Sequence, residues 1–398
     1  MPAWPELTIA QCCTRVTSGG TPRRDNPDYY RDGTIPWVKT GELKDRVIDP
    51  SAISEWITEE AVENSSAKVL PKNTVLMAMY GDGRTIGSLG LVRSPMSCNQ
   101  ACCAMIVNPD ICDAQFLFYA IRYYRNAWIK IAHGGAQRNL SGSIIRERKI
   151  AVPVLPLQRR IASILEAYDD LIEVNRRRIA VLEEMARRLF DEWFVQFRYP
   201  GHECHATIDT PDGRRPEGWQ HRPLEDMLVL QRGFDLPTSK RTPGPFPVIS
   251  ASGVHGTHAA AKVRGPAIVT GRSGTIGNVM IVHEDLWPLN TTLYVKEFRK
   301  ASPAYALHLL RRLDLHIRRG GAAVPTLNRN HLHNIPIVCP PSNLVVRYEE
   351  VAMSQLRAAF VIEQQQAILT ASRDLLIPRL ISGGLSIPGA ERELEAVA

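Results

Sequence analysis

Metal and nucleophile chemistry is what the sulfur and imidazole side chains first suggest. Cys98 and Cys102 stand at i,i+4, Cys12-Cys13 and Cys102-Cys103 are adjacent pairs, and His202, Cys204 and His205 cluster. None forms a CxxC pair answered by a second pair at zinc-finger spacing, so no metal is assigned. Eight cysteines in 398 residues are too sparse for a disulfide scaffold and read as reduced, mostly buried thiols. Motifs for group transfer are missing as well. There is no GxxxxGK[ST], no HExxH, no GxSxG and no Asn/Asp-Pro-Pro-Tyr/Phe element, and Gly81–Gly87 does not fit GxGxxG.

The polar chemistry lies instead in Gly-rich loops. Arg23 and Arg24 follow Ser18-Gly-Gly-Thr-Pro22, and Lys39 with Thr40 follows Ile35-Pro-Trp37. Arg84 and Thr85 sit in the Gly81–Gly87 loop, while Gln137, Arg138 and Asn139 follow Gly134-Gly135. The second half offers Lys240 and Arg241, Ser250 and Ser252, then Arg272, Ser273 and Thr275. Asn290, Thr291, Arg318, Arg319, Thr326, Asn328 and Arg329 complete the set. Arginine reads guanine with two hydrogen bonds, Asn or Gln reads adenine, and hydroxyls and cations hold phosphates. Such loops suit a nucleic acid, and they suit equally an ordinary solvated surface. Trp4, Trp37 and Trp219 read as core anchors.

Those loops recur. Gly81-Asp-Gly-Arg-Thr-Ile-Gly87 is echoed by Gly271-Arg-Ser-Gly-Thr-Ile-Gly277, and Thr85 and Thr275 align at an offset of 190. His133-Gly-Gly-Ala136 matches the region of Arg319-Gly-Gly-Ala322, and Ile150-Ala-Val-Pro153 matches Ile335-Pro-Ile-Val338 at an offset of 185. Three matches in one order indicate an internal repeat.

After each Pro-rich junction comes a helical segment. Ile161, Leu165, Tyr168, Ile172, Asn175, Ile179, Leu182, Ala186, Leu189 and Trp193 alternate steps of four and three, an a/d seam with one polar register residue, Asn175. Tyr348, Ala352, Gln355, Ala359, Ile362, Gln366, Leu369, Arg373, Leu376 and Leu380 repeat that spacing with a more polar seam, and Pro378 is placed to kink its end. Between the helices, short β-branched runs such as Thr74–Met79 and Ala267–Thr270 predict strands, with helices near 113–132 and 302–317. The expected class is α+β: two mixed α/β domains separated by two long antiparallel coiled-coil helices, with an internal pseudo-two-fold repeat. Expected bounds are 1–153, 154–199, 200–339, 340–384 and a frayed tail 385–398, with the composition of a linker over 199–218.

Composition fits that plan. Apolar residues make up 44% and charged ones 22%, with a net charge of +7, which excludes a largely disordered chain. The excess is unevenly placed: +3 on residues 1–154, zero on 155–198, +6 on 199–339 and −2 on 340–398. The basic residues sit on the globular segments. No apolar run approaches 18 residues and no signal-like start is seen, so a cytoplasmic protein is expected.

The chain resembles the specificity subunit of type I restriction-modification systems over nearly its whole length. The resemblance rests on Pro216-Glu-Gly-Trp219, Gly33-Thr-Ile-Pro-Trp37, the paired Thr-Ile-Gly loops, Pro153-Val-Leu-Pro-Leu-Gln-Arg-Arg-Ile-Ala-Ser-Ile-Leu165 and Leu375-Leu-Ile-Pro-Arg-Leu-Ile-Ser-Gly383. It implies a non-enzymatic DNA-binding subunit in a bacterium or archaeon, with two target-recognition domains that each read half of a bipartite asymmetric site in double-stranded DNA. It implies helices that dock two methyltransferase subunits, and a restriction/translocase subunit beyond them. No cofactor belongs to this chain; S-adenosylmethionine, ATP and Mg would belong to the partners. Two other classes fit the residues alone: an enzyme with an unrecognised motif, and a coiled-coil scaffold without DNA.

Overall fold

A computed structural model describes residues 4–81, 85–131, 139–211, 213–313, 315 and 326–395. The chain divides into two units, residues 1–174 with 366–398 and residues 175–365. Each unit combines one α/β region with one stretch of each long helix.

In the first unit a five-stranded sheet runs in the order Cys13–Ser18, Cys102–Val107, Thr74–Ala78, Leu89–Val92, Arg46–Ile48. Its pairs are antiparallel except the last, which is parallel. Every residue of Thr74–Ala78 is buried, which is why the strand is apolar without a break from Val75 to Ala78. Ile35–Val38, Trp56–Ile57 and Ser97–Cys98 form a smaller sheet. The helix Ala114–Ile131 contributes Phe116, Leu117, Tyr119 and Ala120 to the core. That same core takes in Ile161, Leu165, Tyr168 and Ile172 of the first long helix, and Leu369, Leu376, Ile377 and Leu380 of the second.

The second unit repeats the plan. Four strands run Leu228–Arg232, Thr292–Phe298, Ala267–Gly271, Val279–Val282, beside a three-stranded sheet of Gly253–His258, Phe246–Ser250 and Trp287–Pro288. Helix Pro303–Arg312 packs on Ala267–Gly271 and Val279–Val282 of the four-stranded sheet. The core adds Ala186 and Phe190 of the first long helix, Trp193 and Phe194 just beyond its end, and Val345, Tyr348, Ala352 and Leu356 of the second.

The first long helix spans Leu155–Phe190 and the second Ser342–Ile381, about 54 and about 60 Å at 1.5 Å per residue. The start of the first meets the end of the second in one unit, and its end meets the other's start in the second unit. Every seam position named above is buried or half-buried. The polar members have distinct settings. Arg373 is buried against Asp169 and Asp374, and Asp169 also accepts the Tyr119 hydroxyl at 2.6 Å. A lone buried guanidinium would be prohibitive, so the seam tolerates it only with these carboxylates. Pro378 does not end the helix, which continues to Ile381. A π turn, Asp191–Val195, closes the first helix and directs both Trp193 and Phe194 into an aromatic cluster with Tyr305, Tyr348 and Trp219.

Three expectations are corrected. Residues 387–395 are not frayed: Ile387–Glu395 is a helix that buries Ile387 and Ala390 and pairs Glu391 with Arg160 and Glu393 with Arg379. Residues 199–218, expected as a linker, contain a hairpin, Thr207–Thr210 with Gly213–Pro216. Its polar, Gly- and Pro-rich residues are those of a turn as much as of a linker. The third match is shifted by two: Ile150 pairs with Leu7 and Ile337 with Arg222, so Ile150 corresponds to Ile337. Alternating Ile and Pro residues make the two registers look alike in sequence.

Buried polar groups make part of this packing sensitive to acid. The Tyr348 hydroxyl donates to the Ala186 carbonyl at 3.1 Å, so His308 Nδ1, 2.8 Å from that hydroxyl, is a donor. Its Nε2 has no partner among the described residues. Burial lowers the His308 pKa to about 4. The folded state then binds fewer protons than the unfolded one below the ordinary histidine value, so stability falls as pH drops from about 6.5 towards 4. Between pH 7 and 4.5 His308 should account for about 2–3 kcal/mol of lost stability. Denaturant melts at both pH values will show that difference shrinking in His308→Gln; an equal loss in both proteins would contradict it.

Candidate nucleic-acid interface

Both units build their loop surfaces on one set of backbone hydrogen bonds. In the first, Gly19 N–H donates to Cys102 O at 3.1 Å, Gly20 to Cys98 at 2.9 Å, Asn99 to Val38 at 3.0 Å and Cys102 to Asn99 at 3.1 Å. Met79 donates to Ala101 at 2.9 Å and Leu140 to Met79 at 2.7 Å. In the second, Gly233 donates to Thr292 at 3.1 Å, Phe234 to Pro288 at 2.8 Å, Leu289 to Ile249 at 2.8 Å and Thr292 to Leu289 at 2.9 Å. Arg272 donates to Thr291 at 2.8 Å and Leu327 to Arg272 at 2.9 Å. Position by position, the two frames are the same.

A missing side chain permits each frame. A Cβ on Gly19 would lie 2.2 Å from the Cys98 carbonyl oxygen, and one on Gly233 would lie 2.2 Å from that of Leu289. Neither contact is sterically possible without moving backbone. Gly87 and Gly277, which end the paired Thr-Ile-Gly turns, have φ of 78° and 77°, a left-handed conformation that favours glycine.

In the first unit the frame gathers several expected residues. Arg24 lies over the Tyr30 and Trp37 rings at 4.8 and 4.7 Å, and Trp37 is tied to the frame by its Nε1–H bond to Gly20 O at 2.9 Å. Glu55 accepts from both Lys39 at 2.7 Å and Arg24 at 2.6 Å. The Lys39 ammonium first, then Arg24, holds the Glu55 carboxyl below its ordinary pKa, against a partial burial that opposes this. Thr40 opens the turn Thr40–Glu42 beside them, and Arg23 pairs with Asp25. Thr85 packs on Gly81, and exposed Asn139 lines a cleft with Met79 and Tyr80. Arg84, Gln137 and Arg138 lie outside the described residues.

In the second unit Arg272, Ser273, Asn290, Thr291 and Thr326 come together through the frame and the Ser273–Thr326 bridge. Ser250 and Ser252 bond each other at 3.0 Å, and Asn278 reaches the intervening Ala251 carbonyl. Thr275 is exposed at the loop tip. Arg241 is turned to the hairpin of Phe246–Ser250 and Gly253–His258, donating to His255 O at 2.7 Å, while neighbouring Lys240 is exposed. Asn328 caps the short helix that begins at Arg329. Arg318 and Arg319 lie outside the described residues.

Sequence reasoning missed Glu55, and it missed Gln100 and Asp235, whose side chains bond Thr21 and Asn290 beside the two frames. Gln100 stands where Asn290 does, at the same offset of 190 as Thr85 and Thr275, so carrying that alignment fifteen residues further would have found it. Seven of the cysteines are buried and none is in a disulfide, and burial pushes the Cys13 and Cys103 thiols up to about 12, where no reactive thiolate forms at those two positions. Among the described residues no cluster could hold a metal and no helix is long and apolar enough to cross a membrane.

Two copies of one amide- and cation-lined loop surface, carried on paired long helices, define a two-domain recognition protein. Its family is shown by sequence. The chain belongs to the family of the type I restriction modification DNA specificity domain, whose model matches residues 3–184 and 216–344. It is 25% identical over 399 residues to the type I restriction enzyme MjaIX specificity subunit of Methanocaldococcus jannaschii, covering 94% of this chain and 91% of that one. It is 28% identical over 157 residues, 38% of each chain, to the EcoR124I/EcoR124II specificity subunit of Escherichia coli. The S subunit of a type I restriction-modification system from M. genitalium shares the fold, with a TM-score of 0.65 at 16% identity over 95% of this chain and 96% of that one. The chain is accordingly a specificity subunit, a recognition component rather than an enzyme.

Gly19→Ala and Gly233→Ala should each cost about 1–3 kcal/mol, as overpacked sites do. Gly41→Ala, where an added carbon meets nothing within 4 Å, should change stability little. Equal thermal midpoints for the three variants would refute the pinch.

Proposed function

We propose that residues 1–153 and 200–339 are target-recognition domains that each read one half of a bipartite, asymmetric site in duplex DNA. In this reading residues 154–199 and 340–384 are the conserved helical regions that set the spacer, and 385–398 is the tail, of which Ile387–Glu395 packs in the first unit. Arg24, Lys39 and Thr40 in one domain and Arg272, Ser273, Asn290 and Thr291 in the other are the leading candidates for contacts to DNA. The observation that carries the proposal is the pair of matching backbone frames bearing unlike side chains, as two readers of different half-sites require.

Two methyltransferase subunits are proposed to dock on the long helices, with restriction/translocase subunits joining them. S-adenosylmethionine, ATP and Mg then belong to those partners and none to this chain. Large apolar side chains left in solvent support docking: Ile368 and Leu375, 59% and 68% exposed at a seven-residue spacing, in the first unit, and Val181 and Val361, 57% and 52% exposed, in the second.

A heptad inserted after Asn175, matched by one in the second helix, adds about 10 Å of helix, close to three base pairs at about 3.4 Å each. Methylome sequencing of a strain carrying it should show a spacer about three base pairs longer between unchanged half-sites. An unaltered spacer would count against the ruler role. Exchange of residues 216–339 for those of a relative should alter one half-site only. Turnover by the lone chain with DNA, Mg²⁺ and S-adenosylmethionine would contradict a non-catalytic subunit.

A further inference from the structure

The two frames hold an amide side chain at one shared position. Gln100 is the residue before Ala101, and Asn290 the residue before Thr291, the carbonyls that accept from Met79 and Arg272. Each amide is gripped by the residue that follows the equivalent pair Gly20 and Phe234. Thr21 Oγ1 donates to Gln100 Oε1, and Asn290 Nδ2 donates to Asp235 Oδ1. The partners differ in chemistry, a hydroxyl in one unit and a carboxylate in the other, yet the geometry is retained. Two unlike sequences have therefore arrived at one arrangement, an amide fixed at the rim of the loop frame.

We infer that Gln100 and Asn290 are the matched base-reading residues of the two domains, each presenting its amide to the edge of an adenine in the major groove. This rests on the DNA-reading role proposed above. At Asn290 the grip settles what the amide has left to offer. A carboxylate only accepts, so the Asn290 nitrogen must face Asp235, and one of its two N–H groups is used there. The other N–H and Oδ1 remain, one donor and one acceptor in a single plane. Adenine presents their complement, the N7 acceptor and the N6 amino donor. Gln100 accepts from Thr21 with one lone pair of Oε1, leaving the second lone pair and its whole amino group. Thr21 and Asp235 are positioning residues: they fix the plane of the amide before DNA arrives, so less side-chain freedom is lost on contact. The backbone beneath each amide is held by the Gly19 and Gly233 approaches, so the side chain projects from a rigid base.

The test is selection of bound sequences from a randomised duplex library by the full chain in its native complex. The unaltered protein should return a split motif with an adenine at one position in each half. Asn290→Ala should relax that adenine in one half by about tenfold or more, leaving the other half intact, and Gln100→Ala should do the reverse. Asp235→Asn should weaken the same position as Asn290→Ala. Gln100→Glu keeps the shape but loses both amide donors, and should turn the preferred base from adenine to cytosine, whose amino group a carboxylate accepts. Thermal melting of each variant separates misfolding from misreading, and the near-isosteric Gln100→Glu guards against a variant that fails to fold. Motifs unchanged in the variants, or a uniform loss of affinity across all sequences, would overturn the assignment while leaving the reading role standing. Failure of the unaltered complex to select any split motif would instead overturn that role, and the assignment with it.

Discussion

Burial of the apolar seams is the constraint on which both units depend. Neither α/β region closes its core without the long helices: Ile161, Leu165 and Tyr168 complete one, Phe190, Trp193 and Tyr348 the other. The seam is therefore not a neutral connector. It is core to each domain along part of its length, so the position of every recognition loop is referred back to helix register. The buried Arg373–Asp169 pair adds a polar lock to that register, because a slip would strand a guanidinium among leucines.

This coupling explains which parts of the fold could be read in advance. Heptad spacing is a property of residue type and interval, so the helices and their buried faces were legible from Ile161 to Trp193 and from Tyr348 to Leu380. Repeats were legible where side chains are constrained by backbone, as at Gly87 and Gly277. Elsewhere the frame uses main-chain donors and acceptors, which leave no mark on residue identity. The strand register at Ile150 and Ile337 is such a case, since alternation of Ile and Pro fits two alignments. The C-terminal helix was missed because its Ser, Gly and Pro residues resemble a tail, while the two residues that anchor it, Ile387 and Ala390, show nothing unless a surface to receive them is known.

The candidate site follows the same division. Loop membership was readable, because glycines and basic residues cluster there. Partnership was not. Arg24 and Lys39 look like two independent cations in sequence, yet Glu55 joins them, and it lies in a different strand-to-loop segment. Arg241 looks like a surface contact and is spent on a hairpin carbonyl. Charge counted along the chain thus overstates the positive surface that a polyanion would meet.

The recurring frame has a consequence for how this surface changes over time. Six main-chain hydrogen bonds per unit and one obligatory glycine define it, and none of the bonds cares which side chain its residue carries. Substitutions can therefore accumulate at the loop positions without loss of the platform, provided the glycine stays. That is a division between heritable geometry and drifting identity. It accounts for two copies that have kept their architecture in register while retaining little more than Thr-Ile-Gly in common.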